Sequence, residues 1–326
     1  MSKGPIKSMT EFMTAVEASN TQILATDHHG GEDKKVVYVG IRDSSWPPIP
    51  SLYYETKGTV LASNRIEREL IHSVSYRYPS LFDADHPSSF RNLAKLRHYE
   101  VPVRLLDVTT NPFVALYFAC RDAEQNNGKD KENKSKVALK QGAVHLLCFG
   151  DENIYDWMNP FFPEMIALAF EADNITAKTV RRISPRIAAK LEKNIASQNA
   201  WNNLSCPKLV KSPYFTSRQS AQHGQFVFFP PLFEVSPAKS KRNVKRVPLP
   251  GFVPNGTRNP LEYNKQMKSA DQILVDPNSK SDIIKNLDKM MGINRINLFP
   301  EDVDSGVKAI LFSTKQNQST FWDKFK

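Results

Sequence analysis

Residues 98–119 read HYEVPVRLLDVTTNPFVALYFA, and this segment carries the strongest signals in the chain. Asn111 followed by Pro112 is a typical helix start, because the Asn side chain caps the first turn and Pro fits the first helical position. The residues after Pro112 leave almost no polar face, which predicts a buried helix. Upstream, one of the two serines at 88–89 caps a shorter helix that Pro102 ends. His, Arg, Asp and Thr side chains concentrate in the turn between these helices, so we expect a site of binding or chemistry there.

Arg104 and Asp107 stand out within this turn. They lie three residues apart, and the two leucines between them are expected to be buried. Opposite charges anchored on buried chain pair with one another or hold a ligand. Two interpretations stay open: a buried ion pair that fixes the loop, or two walls of a pocket shared with His98 and Thr109.

The composition limits the class of protein. The 326 residues can bury a large core, and we favour one elaborated domain. No segment reaches the roughly 18 apolar residues that a membrane span needs, and the N-terminus lacks the apolar core of a signal peptide, so we expect a cytoplasmic protein without membrane contact. The three cysteines have no metal-ligand spacing, and we expect neither a metal site nor a disulfide framework.

The net charge of +10 is unevenly distributed. A basic run without acidic residues and a second cluster of lysines and arginines at 178–193 predict contact with the phosphates of RNA or DNA, with RNA favoured. The other interpretation is a solvated loop that only improves solubility. The residues of the run are Lys239, Lys241, Arg242, Lys245 and Arg246.

Three ordered motifs resemble the FRG domain family, and the resemblance extends from Glu11 to about Phe312. The C-terminal segments 271–275 and 298–302 are also similar to the family. The motifs are Tyr38-Val39-Gly40, the block from Arg97 to Ala119, and the late set Arg218, Gln222, Gly224 and Phe226.

The chain departs from the family pattern in ways that identify it as a divergent member. Val39 stands where the family has an arginine between an aromatic residue and Gly, unless Arg42 takes that place. Four further family positions, which hold Gln, Gly, Thr and Trp, are occupied by Arg97, Glu100, Val103 and Val108.

The resemblance implies an α+β fold, in which a mixed split sheet with surrounding helices is similar to the sheet of ADP-ribosyltransferases. We expect a single FRG-like domain over residues 1–326. Its parts are an N-terminal helix and loop at 8–34, a core at 36–235, a basic loop at 236–262 and a C-terminal part at 263–326.

The resemblance also implies NAD as a substrate and a set of site residues. Tyr117 is then a candidate for stacking on nicotinamide, although an aromatic residue inside an apolar helix more often belongs to the core. Candidate catalytic residues are Tyr38, His98, Arg104, Asp107, Tyr117 and Gln222. Candidate NAD-binding residues are Gly40, Arg42, Thr109, Asn111 and Arg218.

Two functions of different class follow from the resemblance. The first is an ADP-ribosyltransferase-like toxin or effector, acting in anti-phage defence or a toxin–antitoxin system, that modifies nucleic acid or protein and is accompanied by an antitoxin or chaperone. The second is a non-catalytic FRG-type module that partners a toxin or sensor. The valine at position 39 favours the second function.

Overall fold

The computed structural model describes residues 4–25, 34–55, 60–82, 89–123, 138–170, 174–191, 198–235, 243–247 and 271–300. Within these ranges the strands are β1 Lys35–Ile41, β2 Leu105–Thr109, β3 Gly142–Phe149, β4 Ile154–Asp156, β5 Asn174–Thr176, β6 Lys208–Lys211, β7 Gly224–Phe228, β8 Leu232–Val235, β9 Asn243–Val247 and β10 Gln272–Val275. The helices are α1 Met9–Ala25, α2 Ser51–Glu55, α3 Val60–Arg77, α4 Phe90–His98, α5 Pro112–Cys120, α6 Phe161–Phe170, α7 Ala177–Ile183, α8 Pro185–Leu191, α9 Gln198–Leu204, α10 Ser217–Ala221, α11 Lys280–Met291 and α12 Arg295–Leu298.

A seven-stranded mixed sheet in the order β10-β3-β1-β2-β7-β6-β4 organises the fold. Its pairs are antiparallel except for β4 with β6. A second sheet has three strands in the order β5-β9-β8. The expected α+β class, with one mixed sheet flanked by helices, is therefore confirmed.

The two central strands of the large sheet separate from each other. Strand β1 pairs with β3 along its whole length, and β2 pairs with β7 along its whole length. Between β1 and β2, however, the register contains one residue pair, Tyr38 with Thr109. Residues 39–41 of β1 and 106–108 of β2 follow that pair without bonding to each other, so the sheet is split along its middle.

Apolar helices cover one face of the sheet on both sides of the split. On the β1 side, α1, α5 and α11 pack over inward-facing residues such as Val144 and Leu146. On the β2 side, α3, α4, α6, α8 and α9 pack over Leu105, Phe226 and Phe228. The opposite face carries a third cluster, which includes Val37, Val39, Leu106, Val108 and Leu147.

The segment around Arg104 and Asp107 is a strand, and its prediction as a turn is wrong. Apolar residues on both faces of the sheet explain the difference, because Leu105 faces the helices and Leu106 faces the third cluster. Side chains three residues apart lie on opposite faces of a strand. Arg104 and Asp107 therefore do not face one another.

The helix signals are confirmed on either side of that strand. Ser89 caps α4 by accepting a hydrogen bond from the Asn92 amide at 3.3 Å. Asn111 caps α5 by accepting one from the Phe113 amide at 2.9 Å, and Pro112 begins the helix.

The predicted basic loop at 236–262 contains strand β9, which corrects that prediction. Strand β9 pairs with β5 and with β8, so both of its edges are hydrogen-bonded. Backbone pairing on both sides, together with the β-branched Val244 and Val247, favours a strand despite the surrounding charge. Lys245 and Arg246 lie on this strand, whereas Lys239, Lys241 and Arg242 lie outside the described residues.

Candidate functional site

A cavity of about 500 Å³ opens where β1 and β2 separate. Its size is typical of sites for small molecules and cofactors. Residues 38–42 of the first central strand and its extension, and residues 106–109 of the second, line it from the sheet. The ionisable side chains on its walls are Arg42, Arg97, His98, Glu100, Asp107, Arg121, Asp122 and Arg218.

One wall of the cavity is a face of α5 and the residues just after it. The lining positions 114, 115, 118, 121 and 122 recur at helical spacing. Gly40 allows this helix to approach the sheet, because a Cβ at Gly40 would overlap the carbonyl oxygen of Ala115. Gly40 therefore sets the width of the cavity through backbone packing.

The carboxylate of Asp107, on β2, also lines the cavity and is half exposed. Arg97 Nε donates a hydrogen bond to its Oδ2 at 2.6 Å, and Arg97 Nη1 also donates to Ser51 Oγ at 3.1 Å. Side-chain exposure is 51% for Asp107 and 23% for Arg97. The pair is therefore accessible to a ligand in the cavity.

Arg218, from α10, projects from the same side as Arg97. Its Nη1 lies 3.6 Å from Glu100 Oε1 and donates to the carbonyl oxygen of His98 at 3.4 Å. Burial lowers the pKa of Arg218, while the charges of Asp107 and Glu100 oppose this change. His98 thus contributes a carbonyl oxygen to the wall, and its ring packs edge-on against Tyr99.

Arg42 and Arg121 are the cavity arginines that, within the described ranges, have no carboxylate at ion-pair distance. The guanidinium carbon of Arg42 lies 5.1 Å from the ring centroid of Trp46. That of Arg121 lies 4.7 Å from the ring centroid of Phe299. Two cations on this wall are therefore available to an anionic ligand.

Tyr38, Thr109 and Gln222 line the cavity but already have hydrogen-bond partners. Asn20 Nδ2 donates to the Tyr38 hydroxyl at 2.8 Å, which ties β1 to α1. Thr109 Oγ1 donates to the carbonyl oxygen of Gln222 at 2.8 Å, and Gln222 Nε2 donates to that of Leu298 at 3.0 Å. The side-chain amide nitrogen of Gln222 therefore anchors the C-terminal segment.

Three of the predicted catalytic and NAD-binding residues lie outside the cavity. Arg104 is fully buried, and its Nε and main-chain N donate to Glu67 at 2.7 and 2.9 Å. Tyr117 is fully buried in the cluster under α5, because this helix has apolar contacts on nearly every side. Asn111 uses its side chain as the helix cap. The prediction of a pocket shared by Arg104 and Asp107 is wrong, since Asp107 lines the cavity and Arg104 does not.

Several residues in or beside the cavity were not among the predicted site residues. Arg121 and Asp122 were detectable, because they continue the face of α5 that Val114 and Phe118 begin. Lys280 was not detectable: it is fully buried, and its Nζ donates to the carbonyl oxygen of Arg42 at 2.9 Å and to Asp122 Oδ1 at 2.8 Å. Such a contact joins segments more than 150 residues apart in the chain.

Residues 34–128 match the family model described as the FRG domain. The match confirms the resemblance over the first two motifs, which lie in β1, β2 and α5 and the end of α4, and the matched segment supplies most of the cavity wall. Arg218 and Gln222 lie outside it and line the cavity from elsewhere in the chain. No curated protein and no solved structure matches the sequence. Within the described ranges, no helix has the length and apolarity that a membrane crossing requires.

Proposed function

We propose that the cavity binds NAD and that the protein transfers the ADP-ribosyl group of NAD to an acceptor. The observation that carries the proposal is the split between β1 and β2, which opens a cavity lined by the accessible Asp107 carboxylate and by four guanidinium groups. NAD has an anionic pyrophosphate and two flat rings, so it needs cations and apolar surfaces in one cleft. The arginines are Arg42, Arg97, Arg121 and Arg218, and the aromatic lining residues include Trp46, Phe118 and Phe215.

Asp107 is the residue of this site best suited to the reaction. The bond between the ribose C1′ and nicotinamide breaks, its electron pair leaves with the nicotinamide nitrogen, and positive charge develops on the ribose. A fixed carboxylate stabilises that charge. Arg97 holds the Asp107 carboxylate in place at 2.6 Å. A nucleophile of the acceptor then bonds to C1′ and loses its proton to solvent.

A nucleic acid, with RNA favoured, is the acceptor that suits the charge of the chain. The net charge of +10 attracts polyanions, and helices α7 and α8 expose several cations without an acid between residues 174 and 191. An enzyme with such an acceptor harms the cell that makes it, and we therefore place it as a toxin or effector of anti-phage defence or of a toxin–antitoxin system, with an antitoxin or chaperone as its partner. The exposed basic side chains are Lys178, Arg181, Arg182, Arg186 and Lys190.

Labelled NAD tests this proposal directly. The full chain is incubated with NAD that carries its label on the adenylate half, together with RNA, DNA or cell lysate, and free nicotinamide is followed in the same tubes. Label on one class of macromolecule supports the transferase and identifies the acceptor class. Nicotinamide release without label transfer indicates an NAD hydrolase instead. If folded protein tested with each acceptor gives neither label transfer nor nicotinamide release, the proposal is contradicted.

A second candidate is a non-catalytic module that binds a nucleotide. Three observations favour it: Val39 supplies no cation, Arg97 engages the carboxylate of Asp107, and Gln222 is bonded to Leu298. This candidate predicts that NAD raises the melting temperature without release of nicotinamide. The same samples therefore distinguish the two candidates.

A further inference from the structure

We propose that Arg121 and Arg218, arranged around the ring of Phe299, form a phosphate-binding subsite on the wall of the cavity. Its ligand is the pyrophosphate of a nucleotide. The identification of that nucleotide as NAD rests on the proposed function, but the subsite itself does not.

The geometry brings together three parts of the chain. Arg121 follows α5, Arg218 lies on α10, and Phe299 follows α12. The guanidinium carbons of Arg121 and Arg218 lie 4.7 and 4.6 Å from the centroid of the Phe299 ring. One aromatic ring thus holds two cations through cation–π contacts. Both arginines line the cavity.

The positive charge of this cluster exceeds its negative charge. Glu100 lies 3.6 Å from Arg218 and compensates one of the two cations. Arg121 has no carboxylate at ion-pair distance in the described ranges, and both oxygens of its neighbour Asp122 accept hydrogen bonds from Lys280, at 2.8 and 2.9 Å. Two cations held close together in a partly buried wall repel each other. An anion bound between them removes that repulsion and gains charge-assisted hydrogen bonds.

The chemistry of the donors favours phosphate. Each guanidinium presents several N–H groups in a planar fork, which fits two oxygens of a phosphate at once. Two forks on one platform suit a pyrophosphate, which offers oxygens on both phosphorus atoms. A neutral ligand such as nicotinamide gains little from this arrangement.

Phe299 is the positioning residue of the subsite. Its ring packs edge-on against Phe118, with centroids 6.1 Å apart, and Phe118 also lines the cavity. The preceding carbonyl oxygen, of Leu298, accepts the 3.0 Å hydrogen bond from Gln222. The C-terminal segment is therefore fixed to the cavity wall through both its main chain and its ring, and it orients the two arginines.

Calorimetric titration of the full chain with inorganic pyrophosphate and with ADP tests the subsite. We expect Arg121→Ala to weaken both affinities by about tenfold or more, since hydrogen bonds to charged groups are lost. Arg121→Lys keeps the charge but loses the fork, so a smaller loss is expected. Phe299→Leu keeps the apolar bulk but removes the aromatic face, and we expect a loss of several-fold. Arg68→Ala on α3 and Ile296→Ala, both at exposed positions, are the matched controls and leave the affinities unchanged.

The outcomes distinguish failure of the subsite from failure of the proposed function. Equal affinities of wild type and Arg121→Ala, or no binding of pyrophosphate and ADP by folded wild type, overturn it. Loss of ADP binding in Arg121→Ala, together with absence of NAD cleavage in wild type, upholds the subsite and contradicts the proposed function. Cleavage of NAD with an unchanged KM for NAD in Arg121→Ala and Phe299→Leu supports the proposed function and contradicts the subsite. Circular dichroism of every variant confirms that the proteins compared are folded.

Discussion

Two arginine–carboxylate pairs lie next to β2, and they differ mainly in burial. The pair of Arg104 with Glu67 has 0% exposure on both side chains. The pair of Arg97 with Asp107 has exposures of 23% and 51% and faces the cavity. The same chemical groups are therefore enclosed by the fold in one pair and accessible to a ligand in the other. Burial, and not residue type, distinguishes the enclosed pair from the accessible one.

Removing Glu67 should give the largest loss of stability. Glu67→Ala leaves the buried Arg104 charge without its carboxylate, and breaking a buried pair in this way costs about 3–5 kcal/mol. The free energy of unfolding, measured by urea denaturation, tests this. Asp107→Ala, the matched variant in the accessible pair, should lower the free energy of unfolding by less than about 1 kcal/mol. Equal losses for the two variants would remove the distinction between the pairs.

Burial also acts on an ionisable side chain on the face of the sheet away from the helices. His145 on β3 is 5% exposed, and burial lowers its pKa to about 4. The unfolded chain has a His pKa of about 6.5, so only the unfolded state takes up this proton between these values. The free energy of unfolding therefore has its full contribution from neutral His145 above about pH 6.5, and it falls by about 3 kcal/mol towards pH 4.

Substitution of His145 isolates this contribution from other groups that titrate in acid. His145→Leu should flatten the dependence of unfolding free energy on pH, while the exposed-site control His72→Leu should keep it. A slope in His145→Leu as steep as in wild type would show that His145 is not the source.

Substitution of Gly40 tests the packing of α5 on β1 beside the cavity. In Gly40→Ala the new Cβ meets the backbone oxygen of Ala115, which no side-chain rotation relieves. Overpacking of this kind costs about 2 kcal/mol. The control is Gly150→Ala, because a Cβ there meets only the flexible side chain of Glu152. Thermal denaturation should separate the two variants, and equal melting temperatures would contradict the close packing of α5 on β1.

Arg97 should give the smallest loss of stability. Arg97→Ala breaks a partly exposed pair, for which about 0.5 kcal/mol is expected. Urea denaturation in low and high salt measures it, and the small loss should shrink further in high salt. A loss of several kcal/mol would mean that this pair is as structural as that of Arg104.

Local sequence signals predicted the helix starts but not the partners of the charged residues. The caps at Ser89 and Asn111 depend on neighbours two or three residues away, and both are confirmed. Glu67 lies 37 residues before Arg104, and no local pattern connects them. The spacing of Arg104 and Asp107 suggested one pocket only because the segment was taken as a turn. In a strand, that odd spacing places the two side chains on opposite faces.

The cavity was predictable only in part, for the same reason. Tyr38, His98, Asp107 and Thr109 belong to the segment that matches the FRG domain, and all four line the cavity. Phe299 enters from the C-terminal segment through contacts with two arginines, and its sequence context carries no signal for them. Sites completed by distant segments require the tertiary structure.

Release of nicotinamide from NAD by wild type and by Asp107→Asn tests the central claim most directly. Asparagine keeps the size of the side chain and removes the charge. We predict that the variant unfolds with a free energy within about 1 kcal/mol of wild type and releases nicotinamide about 100-fold more slowly. Equal rates in the two proteins, or no release by folded wild type in the presence of RNA, DNA and lysate, would contradict the claim that the exposed carboxylate of β2 is the catalytic one.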